Sequence, residues 1–276
     1  MRRDRAAESA PARAAFDGPR AKKSLGQNFL KDANISRKIV AALDITAEDS
    51  VVEIGPGPGA LTAIIAAMRP ARLLLLEKDA HWAKERKAAA GPFTRVVIAD
   101  ALQMPWERFA APFKCIGNLP YNVASPLMWE IFSRASGLCR AVFMVQKEVG
   151  GRLAAKPGSG AYGALSVWVQ SFVRPRQEFI VPPHVFVPKP KVDSAVLSFT
   201  PLSDGEKGRF DPAALNGTLQ SCFQKRRKQL GTIVRSAGGD PKGLESIGIA
   251  PARRPESLSV QEFHALSGLM IFPGKH

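Results

Sequence analysis

Asn118-Leu119-Pro120-Tyr121 has the residue types and order needed to hold a planar, amine-bearing base. An amide oxygen and a backbone carbonyl can accept both protons of an exocyclic NH2, while an aromatic ring lies against the face of the base. Pro120 offers no ladder N–H, fixes its own φ and biases Leu119 towards an extended backbone. The Asn118 side chain and the Leu119 carbonyl are thereby turned outward at a rigid point. The same four residues also suit a strand-end turn with a buried tyrosine. They follow an apolar run, Phe113 to Gly117, that reads as a short buried strand.

Three further strand ends carry candidate binding groups. Val51-Val52-Glu53-Ile54 runs into Gly55-Pro56-Gly57-Pro58-Gly59 and then a helical stretch. Glycines there let a backbone turn tightly and pass close to a ligand. The spacing is G-x-G-x-G, not the dinucleotide G-x-G-x-x-G. The next strand, Arg72 to Leu76, ends at Glu77, suitably placed to accept hydrogen bonds from ribose hydroxyls. Dehydrogenases and methyltransferases that use S-adenosylmethionine share this arrangement. A third strand, Thr94 to Ile98, leads to Asp100, an acceptor for an adenine amino group. A basic, glycine-broken segment with Lys22 and Lys23 leads towards a helix, and Asn28 and the Leu30 backbone there can fold over a pocket. In an open parallel α/β sheet the ends at Gly55, Glu77, Asp100 and Asn118 lie side by side, where ligands bind. A nicotinamide dehydrogenase would explain Gly55 and Glu77 but not the Asn-Leu-Pro-Tyr turn.

These ends require an α/β fold of alternating strands and helices, and 276 residues suffice for one large domain plus a small one. Residues 1–20, rich in Ala and Arg, read as a disordered basic leader without the apolar core of a secretory signal. Residues 21–201 carry the βα pattern, 201–209 read as a polar linker, and 202–276 read as a small helical domain. No apolar run approaches the roughly 20 residues that span a bilayer. Lys and Arg number 39 against 24 Asp and Glu, a formal charge of +15 that favours a polyanionic partner, nucleic acid first. Cys115, Cys139 and Cys222 are far apart and the four histidines show no ligand spacing, so reduced thiols and no metal site are expected.

The candidate RNA contacts are basic. Arg152 and Lys156 flank a Gly- and Ser-rich loop expected to be mobile, and Lys225-Arg226-Arg227-Lys228 forms a dense run beside a helical pattern. The proline-stiffened loop from Val181 to Lys191 carries Phe186. That ring can sandwich a base opposite Tyr121 or plug the core beneath the loop.

Taken together the motifs resemble the small-subunit ribosomal RNA adenine dimethyltransferases, the KsgA family. The matching pieces are KKSLGQNFLKD at 22–32, VEIGPGPGALT at 52–62, LLEKD at 75–79, ADAL at 99–102 and GNLPYNVASPL at 117–127. QKEV at 146–149, YGALSV at 162–167, PKPKVDSAV at 188–196 and FQKRRKQL at 223–230 continue the series. The resemblance implies a Rossmann-like methyltransferase fold with a seven-stranded, mostly parallel sheet and a small α-helical C-terminal domain. It implies S-adenosylmethionine contacts from Asn28, Leu30, Gly55, Glu77, Asp100 and Asn118. The residue types themselves put Asn118, Leu119, Pro120, Tyr121 and Phe186 at the reacting base. The resemblance implies N6,N6-dimethylation of two adjacent adenosines near the 3′ end of 16S ribosomal RNA. A cytoplasmic monomer working in small-subunit biogenesis, with neither metal nor membrane, is the matching expectation. Relatives that methylate large-subunit RNA share the early motifs, and a non-catalytic assembly factor could keep the fold. Lys78 departs from the apolar residue often found after the acidic strand end.

Overall fold

The computed structural model describes residues 26–270. The leader, Lys22, Lys23 and the last six residues lie outside them.

Strand β2 (Ser50–Ile54) has neighbours on both sides, and Val51, Val52 and Ile54 are all buried, as a central parallel strand requires. Its side chains alternate between two cores. Val52 and Ile54 join one apolar cluster and Val51 the other, the period of two expected of a strand. Before it come the two-residue strand β1 (Phe29–Leu30) and helix α1 (Ala33–Ala41), capped by Asp32. After it the chain alternates through α2 (Thr62–Ala67), β3 (Arg72–Glu77), α3 (Ala80–Ala88), β4 (Thr94–Ile98), β5 (Phe113–Asn118), α4 (Ala124–Arg134) and β6 (Leu138–Gln146). Helices α5 (Lys147–Leu153) and α6 (Ala164–Gln170) precede β7 (Val173–Val181), β8 (Phe186–Val187) and β9 (Ser194–Pro201).

The main sheet has seven strands in the order β4-β3-β2-β5-β6-β9-β7. The first five are parallel, and β9 runs antiparallel to both of its neighbours. From β2 the chain steps outward to β3 and β4, then returns to the other side of β2 with β5. That reversal opens a crevice at the carboxyl ends of β2 and β5, the place where open α/β sheets bind ligands. A separate ribbon pairs β1 with β8, Phe29 opposite Val187 and Leu30 opposite Phe186.

The C-terminal helices are α7 (Asp204–Lys207), α8 (Pro212–Gln224), α9 (Leu230–Ser236), α10 (Gly243–Ser246) and α11 (Val260–Leu269). The stretch expected as a linker holds α7, whose Ser203 and Glu206 form a reciprocal capping box. Leu215, Leu219, Ile233 and Phe263 share one apolar cluster with Phe143 and Phe199 of the sheet and Trp168 of α6. The join is also polar: the buried Tyr162 hydroxyl donates to the Leu258 carbonyl at 2.9 Å, and His264 Nε2 meets Ser171 Oγ at 2.8 Å. The loop at 156–163, expected to be mobile, is tied down by Gly158 N–H to the Glu256 carbonyl (2.7 Å) and by Arg226 to the Gly160 carbonyl (3.0 Å). Its composition is that of a flexible linker, but burial of Tyr162 pins it.

Candidate active site

Asn118 is the last residue of β5, and its Nδ2 donates to the backbone carbonyl of Asn28 at 2.9 Å. That bond decides which end of the amide does what. The nitrogen is spent on Asn28, so Oδ1 is left as an acceptor. Asn28 is held in turn: its own Nδ2 donates to the Gly26 carbonyl at 3.3 Å, and the β1/β8 ribbon starts at the next residue. The Leu119 N–H donates to the Met144 carbonyl at 3.1 Å, which locks the turn onto β6. Leu119 is buried and Tyr121 half-buried. The Tyr121 hydroxyl shares a 2.8 Å hydrogen bond with Ser194 Oγ on β9, and burial raises its pKa, so the phenol stays neutral.

One cavity of about 980 Å³, counted to its open mouth, lies over the crevice. Asn28, Gly55, Glu77, Asp100 and Asn118 all line it, as do Leu119, Pro120 and Tyr121. The four strand ends therefore meet around one space. Phe29, Gln27 and Lys78 line it as well, without having been singled out as ligands from sequence; the resemblance at 22–32 was the available signal for the first two. Leu30, expected to contribute its backbone, is absent from the lining, and its side chain packs in the core.

The glycine loop uses the left-handed backbone region at Gly55 (φ +66°), Gly57 (φ +49°) and Gly59 (φ +94°). Gly57 has a second constraint, since a Cβ there would sit 3.1 Å from the Phe29 ring. Its N–H donates to Glu77 Oε2 at 2.9 Å, and the Asp79 N–H donates to Oε1 at 2.9 Å. Each Glu77 oxygen keeps a lone pair for a further donor. Burial raises the Glu77 pKa, against the two amides, which lower it. Asp100 is arranged differently. Lys78 Nζ pairs with its Oδ2 at 2.7 Å and the Leu102 N–H donates to Oδ1 at 3.1 Å; the lysine holds its carboxyl below the usual range.

Sequence reasoning missed what lies under the loop. Glu53 is fully buried, and burial pushes its pKa up to about 7, against the pull of a 2.7 Å bond from Thr62 Oγ1 and the field of Arg86. Arg86 reaches from α3 to Gly59, where any Cβ would collide with its guanidinium.

Phe186 does not line the cavity that Tyr121 lines. It is 2% exposed and packs in the cluster of Leu30, Val181 and Val196. The core-plug alternative describes this conformation, and the clamp does not. The reason is the β1/β8 register, which seats Phe186 opposite the inward-facing Leu30.

The basic candidates divide. Arg226 is half-buried and committed to Glu256 (2.8 Å) and the Gly160 carbonyl, so it acts as a tie and not as an exposed RNA contact. Arg152 pairs with Glu148, and Lys225 donates to Ser236 Oγ at 2.6 Å. Lys156, Arg227 and Lys228 are exposed. Among the described residues no His/Cys/Asp/Glu group could hold a metal ion, and no helix is long and apolar enough to cross a membrane.

Residues 18–271 match the family described as ribosomal RNA adenine dimethylase. The chain is 60% identical over 255 residues to the ribosomal RNA small subunit methyltransferase A of Nitratidesulfovibrio vulgaris strain Hildenborough, covering 90% of this chain and 96% of that protein. It is 57% identical over 259 residues to the protein of that name from Oleidesulfovibrio alaskensis, covering 91% and 92%. Among solved structures, a dimethyladenosine transferase from Plasmodium falciparum superposes with a TM-score of 0.72 at 24% identity, over 88% of this chain and all of that one. The 23S rRNA methyltransferase ErmE superposes with a TM-score of 0.63 at 24% identity, over 88% and 99%. The last two comparisons speak to the fold: a Rossmann-like methyltransferase sheet.

Proposed function

We propose, from the premise that this chain belongs to the ribosomal RNA adenine dimethylase family, a residue-by-residue account of its chemistry. The chain is a methyltransferase acting on small-subunit ribosomal RNA, as its relatives are named, and on adenine, as its family is described. The finer reading is S-adenosylmethionine-dependent N6,N6-dimethylation of two adjacent adenosines in the 3′-terminal hairpin of 16S RNA. It places the chain in the cytoplasm, on immature small subunits, as a monomer. Residues 202–276 serve as the ribosome-binding part, with the exposed Arg227 and Lys228 as its cations and Lys156 beside them.

One observation supports the assignment of the site: Asn118 lines the cavity with its amide nitrogen committed to the Asn28 carbonyl, which leaves the amide oxygen as its acceptor. The cavity also fits the cofactor. Side-chain-free glycines edge it, Glu77 keeps a lone pair on each oxygen for ribose hydroxyls, and Ile54, Leu76, Ala99 and Leu102 offer apolar walls to a purine. When bound, S-adenosylmethionine supplies an already activated methyl on a sulfonium.

The work left to the chain is positioning and charge stabilisation. The N6 of adenine is a poor nucleophile because its lone pair is delocalised into the ring. Asn118 Oδ1 and the Leu119 carbonyl accept its two hydrogens, favour a pyramidal nitrogen and stabilise the positive charge that develops there. Tyr121 supplies one stacking face for a base taken out of its stack. Once alkylated, N6 loses a proton to water, so no strong base is required. A pocket of carbonyl acceptors and a ring still admits the monomethylated amine, which has lost one donor. Undermethylated small and large subunits, offered separately with labelled S-adenosylmethionine, test the reading. Label on N6 of two adjacent adenosines in small-subunit RNA supports it, and label confined to large subunits overturns it.

A further inference from the structure

Helix α4 starts immediately after the Asn-Leu-Pro-Tyr turn, and its first turn has two sides. Val123 and Leu127 line the catalytic cavity, while Ser125 and Pro126 line a second, shallower groove. Leu102, which follows Asp100, lines both. The two spaces thus share a wall. Across the groove stand Ala164 and Leu165 at the start of α6, with Trp129 and Glu130 of α4 completing it.

We propose that this groove is a second nucleobase subsite, holding a base of the substrate RNA next to the one undergoing methylation. The inference rests on reading the chain as an RNA adenine methyltransferase. The walls are apolar except for the Ser125 hydroxyl and the Glu130 carboxylate, which matches a base with apolar faces and a polar edge. Arg134 occupies Glu130 Oε2, at 2.7 Å, so Oε1 is left to accept from an exocyclic amine. The groove therefore prefers an amino-bearing base to uracil. The aromatic wall is rigid. Trp129 lies face to face on Trp168 with centroids 3.7 Å apart and planes 3° from parallel, and Trp168 is 3% exposed in the main core. Lys156, exposed on the loop that leads into α6, suits the connecting phosphate. A reaction on adjacent nucleotides needs a place for the neighbour while one base is in the cavity, and this groove is the space one wall away.

The test uses the full-length protein with undermethylated small subunits. Leu165→Trp fills the groove from a half-exposed position. Glu130→Leu removes the acceptor at the cost of one exposed ion pair, a small loss. Leu165→Trp is expected to raise the KM for subunits about tenfold, the scale of one stacked base, and Glu130→Leu to move it the same way. The affinity for S-adenosylmethionine by calorimetry and the Tm stay at wild-type values. Subunit affinity by filter binding without cofactor reads the groove independently of turnover. Unchanged KM and subunit affinity in both variants overturn the subsite, as does an equal loss of cofactor affinity. Wild-type turnover reports separately on the function itself.

Discussion

The Asn118 side chain donates to the carbonyl of Asn28 across 90 residues of sequence. This one bond joins the residue before β1 to the end of a central strand and leaves the amide oxygen as the acceptor. Asn118→Ala removes both halves and should lower kcat for methyl transfer by about 10²-fold or more, the scale of one preorganised polar group at a reacting centre. Asn118→Asp keeps oxygens but sets a carboxylate against the Asn28 carbonyl, and should be nearly as damaging. Near wild-type turnover of either variant on undermethylated subunits would remove Asn118 from the mechanism.

Glu77 accepts two backbone N–H bonds while facing the cavity. Glutamine has one acceptor oxygen, so Glu77→Gln turns an NH2 against either Gly57 or Asp79. An unpaired buried amide costs about 1–3 kcal/mol; a disturbance of that size at the ribose contacts lowers cofactor affinity by about fivefold to 150-fold. Calorimetry with S-adenosylmethionine measures it, and an unchanged Kd would show that Glu77 only braces the loop.

Gly55 and Gly57 both have positive φ, but only Gly57 has a neighbour in the way of a Cβ. Gly55→Ala should cost the left-handed penalty of about 1–2 kcal/mol. Gly57→Ala should cost more, because the Phe29 ring must also move. Thermal melts of the two variants rank them, and the reverse order would contradict the loop packing.

Glu53 is buried with its pKa raised from 4.5 to about 7. A carboxyl that binds its proton more tightly when folded loses stability as pH rises from about 4.5 to about 7, then levels off. A shift of that size corresponds to roughly 3 kcal/mol. Glu53→Gln keeps an acceptor for Thr62 and removes the titration. Its Tm should match wild type near pH 4.5 and exceed it at about pH 8, above the raised pKa. Parallel Tm–pH curves for the two proteins would rule out a titrating Glu53.

Arg226 and Arg227 are adjacent but have different jobs. Arg226→Ala breaks the bonds to Glu256 and Gly160 and should lower the Tm. Arg227→Glu, at an exposed position, should leave the Tm alone and weaken subunit binding. For each RNA phosphate that the variant no longer neutralises, the slope of log affinity against log salt should shrink by about 0.7–0.9. Filter binding across a salt series distinguishes the two, and an Arg227→Glu variant with the wild-type slope would return that side chain to solvent.

The amino-acid sequence by itself determined the parallel strands, the glycine turn between β2 and α2, and the polar residues at four strand ends. These signals are local. Apolar runs bounded by Gly and Pro mark strands, and a proline after Leu119 marks where the ladder must stop. Only the tertiary structure decided which side chains face the cavity. Phe186 could clamp a base or plug the core by sequence, and its pairing with Leu30 in the β1/β8 ribbon turns its ring into the core. Arg226 looks like part of a nucleic-acid-binding run, yet Glu256, 30 residues on, claims it. The Asn118 amide has two ends of nearly equal shape, and a carbonyl 90 residues away selects between them. Burial and hydrogen-bond partnership are set by residues distant along the chain, and no window of sequence contains both partners.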